Sequence, residues 1–442
     1  MLVPDLYYIK RKQSMDAQVI SRSDKSFKLQ IEIPLSMNML EAEESIQQAL
    51  NLGGVLATEE AMKQHDTDGS PIVVCGQKLT TKGQESKKFQ TPYGAVEIER
   101  HVYQSTKGGN TYAPMDDGCR VIGTSTPKFA KMVTSKYACD AAPGVQRDLE
   151  ENHNRPIAVS FIKNITDAVG SIAQAKEERW NYDLPEMPSS VKSISIGLDG
   201  TCLNMQEDGW REAMCGTIAF FDKNGERMHT IYTAASPEYG KETFLNKFKR
   251  EIDRVVSRYP RVPLVGLADG AASNWTFLKP EVDILTIDFW HVSEYLSKAA
   301  KAIYPKKSQN DERWEWLDNA CHRLKHKVGG ATRILHELQE HSDTEKMSAK
   351  NRTTLSATIT YLANNKDKMA YHKNVASNMP IGSGVTEAAC KTLVKQRMCK
   401  GSAKWKDKGA TVVLTLRCLH TTGKRWDQFW SKYVQYGCYD VA

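Results

Sequence analysis

"VKSISIGLDGTCL", residues 191 to 203, alternates polar and apolar side chains and runs into Asp199-Gly200. Strict alternation marks a strand with one face buried, and Asp-Gly marks its end. Two further strands follow, "REAMCGTIAFFD" and "ERMHTIYTAAS", joined by "KNGE", whose Asn-Gly pair signals a hairpin. "KETFLNKFKREIDRVVSRYP" is amphipathic, with Phe244, Phe248, Ile252, Val255, Val256 and Tyr259 on one helical stripe. "VPLVGLADGA" is a continuous apolar strand ending in Asp269-Gly270. "VDILTIDFWH" is another, and it runs into the helix "HVSEYLSKAAKAIY". The expected order is β-β-β-α-β-β-α.

Three antiparallel strands, a helix and further strands is the order of the ribonuclease-H-like α/β fold. In that fold a third acid comes from a later helix packed on the sheet. "PIGSGVTEAACKTLVKQRM", residues 380 to 398, supplies one: a Gly-Ser-Gly turn leads into a helix with Glu387 near its start. Functional groups of open α/β sheets gather where strands end. If strands one and four are neighbours, Asp199 and Asp269 converge, and Glu387 is placed to join them. Mg²⁺ prefers hard oxygen ligands and keeps waters, so a few carboxylates and substrate phosphate oxygens complete its shell. Two such ions roughly 4 Å apart activate the attacking oxygen and stabilise the leaving one in phosphodiester cleavage. Each motif alone has a plainer reading. Asp-Gly is a common turn, and Glu387 with Lys391 is a helical pair worth about 0.2–0.5 kcal/mol. The order of the three acids is what points to a metal site.

Downstream of Glu387, Lys391 and Lys395 lie one helical turn apart, and Arg397, Lys400, Lys404 and Lys406 extend the basic run. Such groups neutralise phosphates, and Trp405 among them is suited to stack on an unpaired base. The same residues also read as a solvated face with Trp405 in a core.

Elsewhere, residues 38 to 66 read as helical with a Gly-Gly break. Residues 71 to 113 are short alternating runs split by glycine turns, a small β-meander. From Thr126 three short helices follow, with Pro127 at a first helical position and Ser125 or Thr126 as cap. They suit a helix-turn-helix DNA-binding unit or a plain helical connector. The resulting division is an N-terminal helical segment (1–70), the meander (71–117), the helical region (118–188) and the catalytic core in two parts (189–304 and 380–442). An all-helical insertion (305–379) separates those two parts.

At 442 residues the chain is long enough for several domains. A formal net charge of +7 permits an anionic partner without proving one. No apolar run approaches a membrane span, and the first residues lack the apolar segment of a signal peptide. The ten cysteines are scattered, without a Cys-x-x-Cys pair, as expected of reduced thiols in a cytoplasmic protein.

"GLDGT", "LADGA", "DFWHVSEYL" and above all "PIGSGVTEAACKTLVKQRM", followed by "GATVVLTLR" and "WDQFW", resemble the ISKra-type insertion-sequence transposases of bacteria. These are DDE transposases related to the Mutator-like group. The resemblance runs from about residue 70 onward, and the glutamate helix is its most specific part. It implies that Asp199, Asp269 and Glu387 are the catalytic acids and hold two Mg²⁺ or Mn²⁺ ions. Asp288 and His291 match an Asp-x-x-His motif with a supporting role, and Asp288 is the runner-up for the second metal-binding acid. Family members often carry a zinc ribbon in the N-terminal β-region. Here Ile72, Cys75, Ser105 and Gly108 stand at its positions, so three of four sulfurs are missing and no zinc is expected. The implied activity is cleavage of double-stranded DNA at transposon ends and joining of the freed 3′-hydroxyl to target DNA. A homodimer or larger assembly, associated with the nucleoid, would hold the two ends, and no membrane is involved. A related nuclease without strand transfer, or a catalytically silent DNA-binding descendant, are the other readings.

Overall fold

The computed structural model describes residues 16–437 apart from residue 24 and residues 343–346. The chain forms two compact units, one of Met1–Trp180 with Phe429–Ala442 and one of Asn181–Gln428. Among the described residues no helix is long and apolar enough to cross a membrane.

The first unit opens on an antiparallel hairpin, β1 (Ala17–Ser23) and β2 (Ser26–Ile31). This differs from the helical segment expected over 1–70. "SFKLQI" alternates with period two, its Phe27, Leu29 and Ile31 half-buried and the residues between them exposed. Helix α1 (Met39–Lys63) then runs unbroken through Gly53-Gly54. These glycines serve packing rather than a break. A Cβ on Gly53 would stand 2.4 Å from Ile31 Cδ1, and one on Gly54 would meet the Tyr93 ring at 2.3 Å.

The meander is β3 (Ile72–Val74), β4 (Gln77–Gln90) and β5 (Ala95–Gln104), paired in that order. "KGGNTYAP" adds only an isolated bridge from Tyr112 to Tyr103. Cys75 lies exposed in the β3–β4 turn, where its φ is 49°. Met62, Phe89, Val96, Ile98 and Met115 form the local core. Past the short helix α2 (Pro114–Gly118) come α3 (Pro127–Cys139), α4 (Ala142–His153) and α5 (Val159–Ala175), which pack on one another. Pro127 is at the first helical position, but no side chain caps α3. The Thr126 hydroxyl instead donates to Gln90 O at 3.4 Å.

The second unit is built on a five-stranded mixed sheet in the order β10-β9-β6-β7-β8. Its strands are β6 (Ser193–Met205), β7 (Gly209–Phe221), β8 (Arg227–Ala235), β9 (Leu264–Ala268) and β10 (Ile284–Ile287). β6, β7 and β8 form an antiparallel meander, whereas β9 and β10 are parallel to β6. The β7–β8 turn is stapled by Asp222, which accepts from Asn224 N and Glu226 N at 2.9 Å each. Helix α6 (Lys241–Arg258) covers one face through Phe244, Phe248, Ile252 and Val255, all buried. Parallel strands need a crossover, and α7 (Ala272–Leu278) supplies the one between β9 and β10, an element absent from the expected order.

α8 (Phe289–Ile303) follows β10. The expected insertion comprises α9 (Asn310–His326), α10 (Gly330–Ser342), α11 (Ala349–Asn365) and α12 (Tyr371–Ala376), with no strand among its described residues. Its buried Trp316, Leu324, Ile334, Leu338, Leu355 and Leu362 continue the core of the sheet. Its end returns to the sheet: the Tyr371 hydroxyl donates to Ile287 O at 2.9 Å, and Asn374 Nδ2 to Thr286 Oγ1 at 2.8 Å. The C-terminal region is helical: α13 (Gly384–Ala389), a π-helical turn (Cys390–Lys395), α14 (Gln396–Met398), α15 (Asp407–Thr421) and α16 (Arg425–Tyr436).

Candidate active site

Asp199 does not end its strand. It lies in the middle of β6, which continues to Met205 against β7. What ends near Asp199 is the parallel ladder on its other side, which runs from Ile194 opposite Leu264 to Gly197 opposite Leu267. Carried on by two residues, that register brings Asp269, the residue after β9, beside Asp199. Adjacent strands are about 4.8 Å apart, and registered parallel residues face the same side. Asp199 Oδ1 accepts from Gly200 N at 2.8 Å, and Oδ2 from the Cys390 thiol at 3.4 Å. Asp269 Oδ1 accepts from Ala271 N at 3.1 Å and Asn274 Nδ2 at 3.4 Å, closing the turn into α7.

Glu387 arrives on α13, which packs over β6 and β7. Gly197 makes the close approach possible, since a Cβ there would stand 2.0 Å from Thr386 Oγ1. Thr386 and Thr217 share a buried hydroxyl–hydroxyl bond of 2.7 Å. The turn ahead of α13 is fixed by Asp288, which is fully buried. Asp288 Oδ2 accepts from the Ser383 backbone N–H and, at 2.5 Å, from its hydroxyl, while Oδ1 caps α8 through His291 N at 2.8 Å. Ser383 Oγ also lies 2.9 Å from Glu387 Oε1. A chain of contacts thus runs from Asp288 through Ser383 to Glu387. Among the described residues Glu387 forms no ion pair with Lys391, so the helical pair that the sequence allowed is not made.

Burial pushes the Asp199 carboxyl above its ordinary value. The Gly200 N–H and the Cys390 thiol pull it down, while the charges of Asp269 and Glu387 push it up again. Asp269 and Glu387 are therefore near enough to Asp199 to oppose its ionisation. Half-buried Asp199 and Asp269 and exposed Glu387 form a hard-oxygen donor set whose repulsion a divalent cation relieves, and in that respect they fit Mg²⁺ or Mn²⁺. Among the described residues, however, no group of three or more Asp, Glu, His or Cys side chains is drawn together closely enough to hold a metal ion. The site is an open cluster on one side of the sheet.

Asp288, expected in a supporting role with a runner-up place as the second metal-binding acid, is sealed inside by its own hydrogen bonds, as a positioning group would be. His291 is half-buried at the start of α8, where its backbone N–H meets Asp288. Of the basic run, Lys391, Lys395 and Lys404 are exposed, but Arg397 is buried, its guanidinium 5.4 Å from the Trp405 ring centre. Trp405 is held on several sides. Its indole N–H donates to Met398 O at 2.8 Å, its backbone N–H to Asn204 O at 3.0 Å, and its carbonyl accepts from Gln206 N at 2.9 Å. Arg397 and half-buried Trp405 thus hold the chain against the end of β6.

Residue spacing does not reveal Ser383 as a link, Cys390 as a donor to Asp199, or the π-helical turn after Glu387. The only local hint was Ser383 itself, a hydroxyl between two glycines. No family model matches this chain, and no curated protein is a match to it.

Proposed function

We propose that this protein is a DNA transposase of the DDE type with a ribonuclease-H-like catalytic core. The observation that carries the reading is the placement of Asp199 on β6, of Asp269 just past the end of the neighbouring parallel β9, and of Glu387 on the glycine-led helix packed over β6 and β7. The strand order β10-β9-β6-β7-β8, antiparallel on one side of β6 and parallel on the other, supports the fold assignment.

In this reading Asp199, Asp269 and Glu387 hold two Mg²⁺ or Mn²⁺ ions. When bound, the ions supply an activated attacking oxygen and a stabilised leaving oxygen for cleavage of a phosphodiester bond and for joining the freed 3′-hydroxyl to a second strand. The chain's own groups do the positioning. Asp288 fixes Ser383, Ser383 steadies the Glu387 carboxyl, and the Thr386–Thr217 bond anchors their helix to the sheet. Lys391, Lys395 and Lys404 attract the phosphates of double-stranded DNA. Holding two DNA ends at once calls for at least a dimer.

The test incubates the protein with Mg²⁺ or Mn²⁺ and DNA carrying the sequences that flank its gene, and follows labelled strands. The proposal expects strand transfer that is lost in Asp199→Asn and Glu387→Gln. Hydrolysis without joining would reassign the protein as a nuclease. Specific binding with no cutting would leave a DNA-binding descendant of a transposase.

A further inference from the structure

Helix α1 touches the rest of the first unit along two flanks. On one, Gly53 packs against Ile31. On the other, Gln47 Nε2 donates to Asn152 O at 3.1 Å and Asn51 Nδ2 to His153 O at 3.3 Å. Between these flanks lie Met39, Ile46, Leu50, Ala57 and Ala61, spaced by seven, four, seven and four residues, which keeps them on one face. The large members stand in solvent: Met39 is 67% exposed, Leu50 54% and Ile46 39%. Tyr93, whose ring seats on Gly54 at the edge of the same face, is 47% exposed. Leu35 and Met37, just ahead of the helix, are almost wholly exposed.

The face divides by size. Its first half carries Met39, Ile46 and Leu50, and its second half only Ala57 and Ala61. Along that second half runs a groove of about 330 Å³, walled by Ala57, Ala61 and Met62 of α1 and by Cys119 and Pro127 across from it. A bulky half and a grooved half on one helix complement each other when two copies cross antiparallel about a two-fold axis. A parallel crossing would set large on large and small on small. With the axis at Leu50, residues equally far from it face each other. Met39 of either copy then lies over Ala61 of the other, Ile46 over Gly54 and its Tyr93 ring, and Leu50 over Leu50. The area agrees with such a pair. A fully exposed apolar side chain offers about 100 Å² to burial, so these six exposed residues hold out on the order of 400 Å² in each copy. A standard interface takes about 800 Å² from each partner, a little over half of it apolar.

We infer that α1 joins two copies of this chain as an antiparallel pair, with Leu50 on the two-fold axis and the bulky half of each helix seated on the grooved half of the other. The pairing gives a surface to the dimer called for above, but it rests on the exposed stripe and not on the reading of the three acids.

The experiment uses the full chain without DNA. Analytical ultracentrifugation across the micromolar range compares the parent with Leu50→Glu and Ala61→Glu. Both positions are exposed, so both variants keep the fold, which far-UV circular dichroism verifies. The parent is expected to sediment as a dimer, and each variant to weaken the dimer at least about tenfold, the loss of one interface anchor from each copy. In a second arm Leu50→Cys is oxidised with diamide beside the parent and Glu44→Cys, an exposed position off the stripe. Leu50→Cys is expected to give far more covalent dimer than either, because the axis brings the same residue of both copies together. A monomeric parent would mean that the stripe takes another occupant and would overturn the inference, as would a dimer that neither substitution weakens. Weakening by Leu50→Glu with Ala61→Glu unchanged, or equal cross-linking from both cysteine variants, would overturn the antiparallel pairing. Since no DNA is present, failure here leaves the transposase reading standing, and a chain that dimerises without cutting DNA keeps the pairing.

Discussion

A serine hydroxyl carries one proton, yet Ser383 Oγ stands 2.5 Å from one carboxylate oxygen and 2.9 Å from another. It donates to one of them at a time, so Asp288 and Glu387 share a single hydroxyl donor. This places the Glu387 carboxyl under the control of buried Asp288. Replacing Asp288 by alanine would strand the N–H groups of Ser383 and His291, and an unpaired buried donor costs about 1–3 kcal/mol. We expect Asp288→Ala to lower stability by about 3 kcal/mol, measured by urea unfolding, and to abolish cleavage. Asp199 behaves differently, because its carboxyl titrates above its ordinary value through burial and the charges of Asp269 and Glu387. The folded chain thus holds this proton more tightly than the unfolded one. No penalty exists below the unfolded value, and it grows as pH rises through the window up to the raised folded value, persisting at neutral pH. Asp199→Asn should accordingly raise the melting temperature at pH 7 in metal-free buffer, and added Mn²⁺ should stabilise the parent more than the variant. Equal responses to Mn²⁺ would contradict the assignment of Asp199 as a ligand. Asp199 and Asp269 were readable in the sequence because each precedes a glycine at an apolar run. Ser383 was not, because its partner Asp288 is remote in sequence and only the fold unites them.

Among the elements, the helix that carries Glu387 depends on a missing side chain. A Cβ on Gly197 would stand 2.0 Å from Thr386 Oγ1 and 3.1 Å from Thr217 Oγ1. Gly197→Ala should force α13 off β6, cost about 1–3 kcal/mol by overpacking and suppress cleavage well beyond the loss of stability. Normal activity in this variant would show that α13 need not lie where it does. The π-helical turn that follows is braced from α15, where Arg417 donates to Thr392 O and, at 2.8 Å, to Leu393 O. π turns are rare and recur at functional sites; this one turns Cys390 inward to Asp199 while Lys391 and Lys395 remain exposed. The strands and most of the α6 stripe were readable from residue spacing, but Val256 of that stripe is exposed and Ser193–Leu198 of β6 are buried on both faces rather than one. The unbroken α1 was not, because Gly53-Gly54 reads locally as a break and only its neighbours Ile31 and Tyr93 explain it. Nor was α7, a helix too short for periodicity to register.

At the scale of the molecule, three acids from distant parts of the chain lie in one unit with a basic helix face and the helical insertion. The order of strands and acids in the sequence anticipated the neighbourhood of β6 and β9, because a parallel pair joined through a helix is the natural continuation of a meander. It did not anticipate which basic residues remain exposed, since Arg397 is buried beside the Trp405 ring. If Lys391 and Lys395 contact phosphates, replacing both by alanine should weaken binding to all DNA sequences alike and flatten the dependence of log affinity on log salt by about 2. An unchanged slope in a filter-binding series would remove them from the interface. If Asp199, Asp269 and Glu387 act as one metal-dependent centre on DNA, single-turnover cleavage of flanking DNA in Mn²⁺ reads this out in the parent, Asp199→Asn, Asp269→Asn and Glu387→Gln, each verified as folded. Each substitution should then lower the cleavage rate at least about a hundredfold, and all three together should cost little more than one. Cleavage by any single variant at a rate near the parent's would contradict it.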